Sequence, residues 1–151
     1  MKLRSYPVVA VIALSLFSAA TLIAAPAQAQ SAAAPAGCVQ LEVQNVRPEQ
    51  GALMVAAYGD AASFGKTPLV ASQMRASAAT MSFALCGLSG TAVALTLYQD
   101  LNGNGKLDAN ALGVPSEPWG ASGRPAAMTA PTWDSSVVPL DGSTVVVRLS
   151  K

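Results

Sequence analysis

The sequence predicts an all-β domain, a single antiparallel β-sandwich, that follows a short N-terminal leader. Apolar residues alternate with polar ones over several short segments, and clusters of glycine, proline, asparagine and aspartate separate those segments. No segment after the leader has the 3.6-residue apolar period of an amphipathic helix. Short strands with regular turns and no long helix are typical of a sandwich, with a closed barrel as the alternative.

The first 29 residues are interpreted as a cleavable signal peptide. Lys2 and Arg4 supply a basic start, and residues 8–25 are almost wholly apolar. Ala27-Gln28-Ala29 then provides the small-x-small site that a signal peptidase reads, so cleavage would leave Gln30 as the first residue. We therefore expect a periplasmic or secreted protein that has no stable membrane insertion after cleavage.

Two other interpretations of the leader stay open. The apolar stretch is about 18 residues long, at the lower limit for a membrane-spanning helix, but much of it is weakly hydrophobic Ala and Ser. Cys38 follows Ala36-Gly37, as in a lipoprotein, but Pro35 stands where an aliphatic residue is wanted. Residues 30–37 are interpreted as a disordered tether, and the domain is expected over 38–151.

The first three predicted strands follow the tether. Val39, Leu41 and Val43 recur at every second position, as in a half-buried strand. The segment LMVAAY follows a turn that contains proline and glycine, and LVASQMRA follows a loop or single helical turn. These strands cover 38–46, 53–58 and 69–76, with the turn at 47–51 and the loop at 61–66.

The remaining strands are predicted on either side of a long connection. Met81, Phe83 and Leu85 alternate with small polar residues, and AVALTLY is apolar enough to be buried on both faces. The last segment, TVVVRL, follows the hairpin-type dipeptide Asp141-Gly142. These strands cover 80–85, 92–98, 137–138 and 144–149. The expected total is six or seven strands, in an immunoglobulin-like or transthyretin-like sandwich.

Charge and composition exclude several classes of function. The nine Lys and Arg include Lys2 and Arg4 of the leader, which leaves seven against eight Asp and Glu. Without a basic patch, neither a nucleic acid nor an anionic membrane is expected as a partner. The absence of histidine removes the commonest general base and all Ser-His and Cys-His nucleophile systems. We expect a protein that is not an enzyme, with an unknown protein or glycan partner.

The two cysteines, Cys38 and Cys86, are expected to form a structural disulfide. An isolated pair in an exported protein is usually oxidised, and no C-x-x-C spacing suggests redox chemistry. The alternative is a pair of buried thiols.

Residues 100–134 are predicted to form one long connection without strands, and such loops are usually functional or disordered. The connection begins with D-x-N-x-N-G-x-x-D, where short oxygen-bearing side chains at alternate positions can surround a calcium ion. Glu117 would have to complete the shell, because Ala111 stands where an EF-hand loop has its bidentate glutamate. The alternative is a surface turn with positive φ angles at its glycines. The candidate ligands are Asp100, Asn102, Asn104, the Lys106 carbonyl, Asp108 and Glu117.

A second motif, G-x-P-x-E-x-x-G-x-S, follows the first and consists here of Gly113, Pro115, Glu117, Gly120 and Ser122. With both motifs, residues 38–150 resemble a bacterial family of exported proteins catalogued as domain of unknown function 2141. The resemblance implies a secreted β-sandwich and no established activity.

This chain departs from the family pattern at three positions. Gln99 stands where the family often has histidine, and Ala121 and Gly123 replace an aromatic residue and an asparagine. If those positions touch a ligand, its contacts here would differ.

Trp119 and Ser122 are the candidate recognition residues of the loop. They and Glu117 either contact a ligand or fold the loop onto the sandwich. Trp133 is expected to anchor the loop, and the alternative is an exposed tryptophan of a sugar-binding face.

Three hypotheses of function follow. The first is a non-catalytic exported binding module with a calcium loop. The second is a hydrolase that uses Asp100, Asp108 and Glu117 as carboxylates, and the third is a structural component of the cell envelope. The lack of histidine and of a nucleophile motif favours the binding module.

Overall fold

The computed structural model describes residues 35–126 and 129–150. The signal peptide predicted for residues 1–29 lies outside these residues, as does most of the tether predicted for 30–37. In the two described stretches, no helix has the length and apolarity needed to cross a bilayer.

Eight strands and one short helix make up the regular structure of the described residues. Each strand predicted from the sequence is present within two residues of its expected ends. In chain order the elements are β1 (Cys38–Gln44), β2 (Ala52–Tyr58), β3 (Val70–Arg75), β4 (Thr80–Cys86), β5 (Ala92–Asp100), β6 (Trp119–Ala121), α1 (Trp133–Ser136), β7 (Val137–Pro139) and β8 (Thr144–Arg148).

The strands form two sheets, which confirms the predicted sandwich. One sheet has the order β4-β1-β8, and the other has the order β3-β2-β5-β6 with β7 also paired to β5. Every strand pair is antiparallel except β1 and β8, which run parallel. The number of strands is therefore one or two more than expected, and the parallel pair was not predicted.

The hydrophobic core lies between the sheets, because every second residue of the central strands points inward. The strands β1 and β8 contribute from one side, and β2 and β5 from the other. The largest fully buried side chains from these strands include Leu41, Val43, Val147, Leu53, Leu95 and Leu97.

The predicted disulfide is confirmed. Cys38 and Cys86 are direct partners in the ladder between β1 and β4, with their Cα atoms 4.0 Å apart. The bridge joins the start of one strand to the end of the other and closes a sequence separation of 48 residues. A crosslink of this span stabilises a domain by roughly 2–4 kcal/mol in the chain-entropy account.

The strand β6 corrects the prediction that residues 100–134 contain no strand. It extends the five-stranded sheet beside β5 and lies close to β8. A Cβ atom on Gly120 would lie 2.9 Å from a methyl group of Val147 and 3.0 Å from the carbonyl oxygen of Arg148. The glycine that suggested a loop is thus required where two parts of the chain approach closely.

Candidate functional site

The candidate loop begins where β5 leaves the five-stranded sheet, and the last two residues of that strand face opposite ways. Both Gln99 and Asp100 are buried, with 0% and 2% of their surface exposed. A Cβ atom on Gly51, which has a φ of +60°, would lie 1.9 Å from the Asp100 carbonyl oxygen. The turn before β2 therefore packs directly against the start of the loop, and only glycine fits there.

Gln99 holds that turn in place. Its side-chain amide donates to the carbonyl oxygens of Arg47 at 2.7 Å and Gln50 at 2.6 Å, and its oxygen accepts from the Arg47 N–H at 2.9 Å. In the sequence, Gln99 stands out only as a departure from the family pattern. Its role in the structure is to link the end of β5 to the turn before β2.

Asp100 organises the first half of the loop. Its Oδ1 accepts from the N–H groups of Gly103 at 2.7 Å and Asn104 at 3.2 Å, and its Oδ2 accepts from Gly105 N–H at 2.7 Å. These backbone donors, with Gly105 foremost, hold the pKa of Asp100 below the usual 3.8 despite its burial. The side chain is therefore an ionised acceptor for the loop backbone.

Asp108 is where the two predicted asparagine ligands meet. Asn102 Nδ2 donates to Asp108 Oδ2 at 2.6 Å, and Asn104 Nδ2 lies 3.0 and 3.1 Å from the two carboxylate oxygens. The amide oxygens of these asparagines face the backbone, where they accept from Asn104 N–H and Lys106 N–H. The motif therefore brings three of its polar side chains into direct contact.

Glu117 joins the two ends of the loop. It is 6% exposed, and its carboxylate accepts from Leu101 N–H at 2.7 Å and from Asp108 N–H at 3.0 Å. This is the loop-folding role that sequence analysis gave as one alternative for Glu117. Both carboxylate oxygens contact the loop by accepting backbone N–H groups.

Tyr98 supports the loop from the outer face of β5. Its hydroxyl donates to the Gly105 carbonyl oxygen at 2.9 Å. Partial burial, together with the negative charges of Asp100 and Glu117, raises the pKa of Tyr98. Its place four residues before the motif's first asparagine carried no signal that separates it from an ordinary strand tyrosine.

An apolar cleft of about 310 Å³ adjoins the loop. Trp119 lies half-buried at its wall, and the exposed side chains of Leu107 and Val114 line it. Leu112, on the same stretch of chain, is 87% exposed. Trp119 was predicted from the sequence as a recognition residue, but these aliphatic residues were not, because they are separated along the chain and are assembled by the fold.

Ser122 lies away from this cleft and is fully buried. Its hydroxyl accepts from Leu95 N–H at 2.8 Å and donates to the Ser136 carbonyl oxygen, while its own N–H donates to Leu95 O at 3.0 Å. Leu95 is the β5 residue between the segments paired with β7 and β6. In this structure the Ser122 side chain is therefore buried between Leu95 and Ser136, which is the kind of contact that folding the loop onto the sandwich requires.

The loop offers hard oxygen donors, but not a dense acidic cluster. Among residues 35–126 and 129–150, no group of three or more His, Cys, Asp or Glu side chains is arranged to hold a metal ion. A cation on Asp108 would need the amides of Asn102 and Asn104 turned over, so that their oxygens replace their nitrogens. Calcium tolerates amide and carbonyl oxygens, which makes it the metal that this donor set fits best.

Removing the Ser122 hydroxyl is expected to destabilise the domain. Ser122→Ala leaves Leu95 N–H and the Ser136 carbonyl without this partner inside the protein, a loss of roughly 1–3 kcal/mol in the free energy of unfolding. Urea denaturation checks this against Ser116→Ala, which alters an exposed serine of the same loop. Equal stability of the two variants would contradict the assigned role.

The Asp100 carboxylate is expected to make folding stability depend on pH. Because its folded pKa lies below 3.8, its contribution is present above that value and is lost as the pH falls through the folded pKa. Thermal melts in chelator from neutral pH to about pH 2 should therefore show wild type and Asp100→Asn converging. The pKa values of Asp60 and Asp141 are also lowered. Both residues are present in wild type and in the variant, so they do not contribute to the difference between the two proteins. A difference that stays constant with pH would refute the assignment.

One of the comparisons with known proteins identifies a family. No curated protein and no solved structure matches the chain. The family model described as "uncharacterized protein conserved in bacteria", domain of unknown function 2141, matches residues 41–148 and so covers every strand except the start of β1, together with the whole candidate loop. The chain belongs to this family of uncharacterised bacterial proteins.

Proposed function

We propose that the protein is an exported, non-catalytic binding module whose 100–108 loop binds calcium beside an apolar recognition cleft. The observation that carries this proposal is the meeting of Asn102 and Asn104 on the Asp108 carboxylate, at 2.6–3.1 Å. With Asp100 at the start of the same loop, side chains that carry oxygen atoms are gathered within a few residues of chain.

Calcium would replace the amide-to-carboxylate hydrogen bonds. In the proposed bound state Asp108, the turned amides of Asn102 and Asn104 and the Lys106 carbonyl supply oxygen, while Asp100 keeps part of its contact with the loop backbone. Glu117 is less available than Asp108, since each of its oxygens accepts a backbone N–H. So few free carboxylates imply a dissociation constant of about 10⁻⁴ to 10⁻³ M, the range of extracellular calcium modules.

A binding role is favoured over the hydrolase alternative by the state of the carboxylates. A general acid needs a carboxyl group whose pKa is raised toward the working pH. The pKa of Asp100 is lowered, and backbone donors occupy both of its oxygens. Both oxygens of Glu117 accept backbone N–H groups as well, which leaves Asp108 without a partner acid that is free to act.

The apolar cleft is the surface that we assign to a protein partner. Leu107, Val114 and Trp119 present aliphatic and aromatic surface there, and Leu112 projects beside it. This surface favours an apolar segment of a protein over a glycan, which would need more polar groups. Calcium would act on this cleft through Leu107, which stands next to Asp108 in the loop.

Export is supported by the leader pattern at residues 1–29 and by the Cys38–Cys86 bridge, which is typical of oxidising compartments. Expression of the full chain in a bacterial host should yield extracytoplasmic protein that begins at Gln30. Mass spectrometry of the fractionated protein checks this. A chain that starts at Met1 and remains in the cytoplasm, with reduced cysteines, would contradict the export proposal.

Calcium binding is tested on the metal-stripped mature domain by calorimetry and thermal melts. We expect wild type to release or absorb heat and to melt at a higher temperature with millimolar calcium, consistent with a dissociation constant of about 10⁻⁴ to 10⁻³ M. Asp108→Asn keeps the side-chain shape but removes the charge at which the candidate ligands meet, so both responses should be lost.

Asp134→Asn is the matched control, because it removes one negative charge from an exposed residue of α1. This variant should respond as wild type does. A calcium response that survives Asp108→Asn would refute the site, as would the absence of any response in wild type at millimolar calcium.

A further inference from the structure

The candidate loop contains two Asn-Gly dipeptides, Asn102-Gly103 and Asn104-Gly105, and all four residues are exposed. Asn-Gly is the dipeptide in which side-chain deamidation meets the least steric resistance, because the residue that supplies the attacking nitrogen has no side chain. The proposed binding function makes no use of this reactivity.

Deamidation at such a pair proceeds through a cyclic imide. The backbone nitrogen of the glycine loses its proton and bonds to Cγ of the asparagine, while the Cγ–N bond of the amide breaks and ammonia leaves with that proton. Water then opens the ring at either carbonyl and gives aspartate or isoaspartate. The glycine N–H is therefore the group whose freedom sets the rate.

Both of these N–H groups are bound to one carboxylate. Gly103 N–H donates to Asp100 Oδ1 and Gly105 N–H donates to Asp100 Oδ2, each at 2.7 Å. Asp100 is 2% exposed, so water competes little for its oxygens. Each glycine nitrogen must break its charge-assisted hydrogen bond to Asp100 before it can attack the asparagine Cγ. Loss of its proton is also unfavourable, because the resulting negative charge would lie beside the carboxylate.

We propose that Asn102 and Asn104 are deamidation sites and that the Asp100 carboxylate protects both of them while the loop is folded. One acid at the end of β5 thus restrains two reactive pairs. The protection is specific to these hydrogen bonds, and general ordering of the loop by Glu117 does not replace it.

Modification would change the chemistry of the loop. The amides of Asn102 and Asn104 donate to Asp108, and deamidation replaces a donor with a carboxylate that faces Asp108. The attraction becomes repulsion between like charges. The event is irreversible, so an unprotected loop would drift from a hydrogen-bonded form to a more acidic one.

The test follows deamidation by peptide mass spectrometry during incubation at neutral pH and raised temperature, in chelator. The proteins are wild type, Asp100→Asn, Glu117→Gln and wild type unfolded in urea. Folded wild type should deamidate at Asn102 and Asn104 at least about tenfold more slowly than the unfolded chain, as expected for a charge-assisted hydrogen bond that must break first. Asp100→Asn should lose most of this protection.

Glu117→Gln is the matched control, because it disturbs the loop ends at Leu101 and Asp108 but leaves both glycine contacts with Asp100. It should stay close to the wild-type rate. Asn110, which is followed by alanine, serves as a slow internal reference in every sample. Equal rates in folded and unfolded wild type would overturn the proposal, and so would equal acceleration by Glu117→Gln and Asp100→Asn.

If Asp100→Asn does not fold, amide hydrogen exchange of wild type provides the deciding measurement. Gly103 and Gly105 should then exchange far more slowly than unstructured backbone. Exchange of these two amides at the unstructured rate would overturn the proposal without any variant.

Discussion

The candidate site depends on one constraint, which is that backbone N–H groups released at the end of a strand must find acceptors. β5 has neighbours on both sides, and the chain beyond it has none in the sheet. Two buried carboxylates, Asp100 and Glu117, accept from the N–H groups that follow. Buried carboxylates of this kind are stabilised when backbone donors surround them, and at Asp100 these donors also lower the pKa. The loop is therefore shaped by carboxylates from inside the fold.

The neighbouring features follow from the same arrangement. Since successive strand residues face opposite ways, the loop is organised by Asp100 on one face of β5 while Gln99 fixes the turn before β2 on the other. Glu117 lies two residues before β6, so the bonds that close the loop also bring Trp119 to its place beside β5. The cleft next to Trp119 is a consequence of this closure, and the asparagine amides remain free to contact Asp108.

Much of the fold was predictable from the sequence, because the alternation of apolar and polar residues along a strand shows which side chains are buried. Every strand predicted from apolar periodicity is present, and the disulfide followed from two cysteines in an expected oxidising context. The missed features depend on tertiary contacts. Gly120 allows β6 to approach β8, which no local pattern reveals. Ser122 resembled a loop residue but is buried against Leu95, and the parallel pairing of β1 with β8 depends on the path of the whole chain.

A sequence motif likewise predicts contacts within the loop but not those that depend on the rest of the fold. The spacing D-x-N-x-N-G-x-x-D correctly gathers Asn102, Asn104 and Asp108, because alternate residues of a tight loop face one side. Spacing does not reveal that the first acid is already saturated by backbone donors, since those bonds depend on where β5 ends. A cation in this loop would have to displace hydrogen bonds that already occupy the side-chain oxygens of the motif, which costs binding free energy. The weak affinity that we propose therefore follows from the hydrogen bonds that fold the loop.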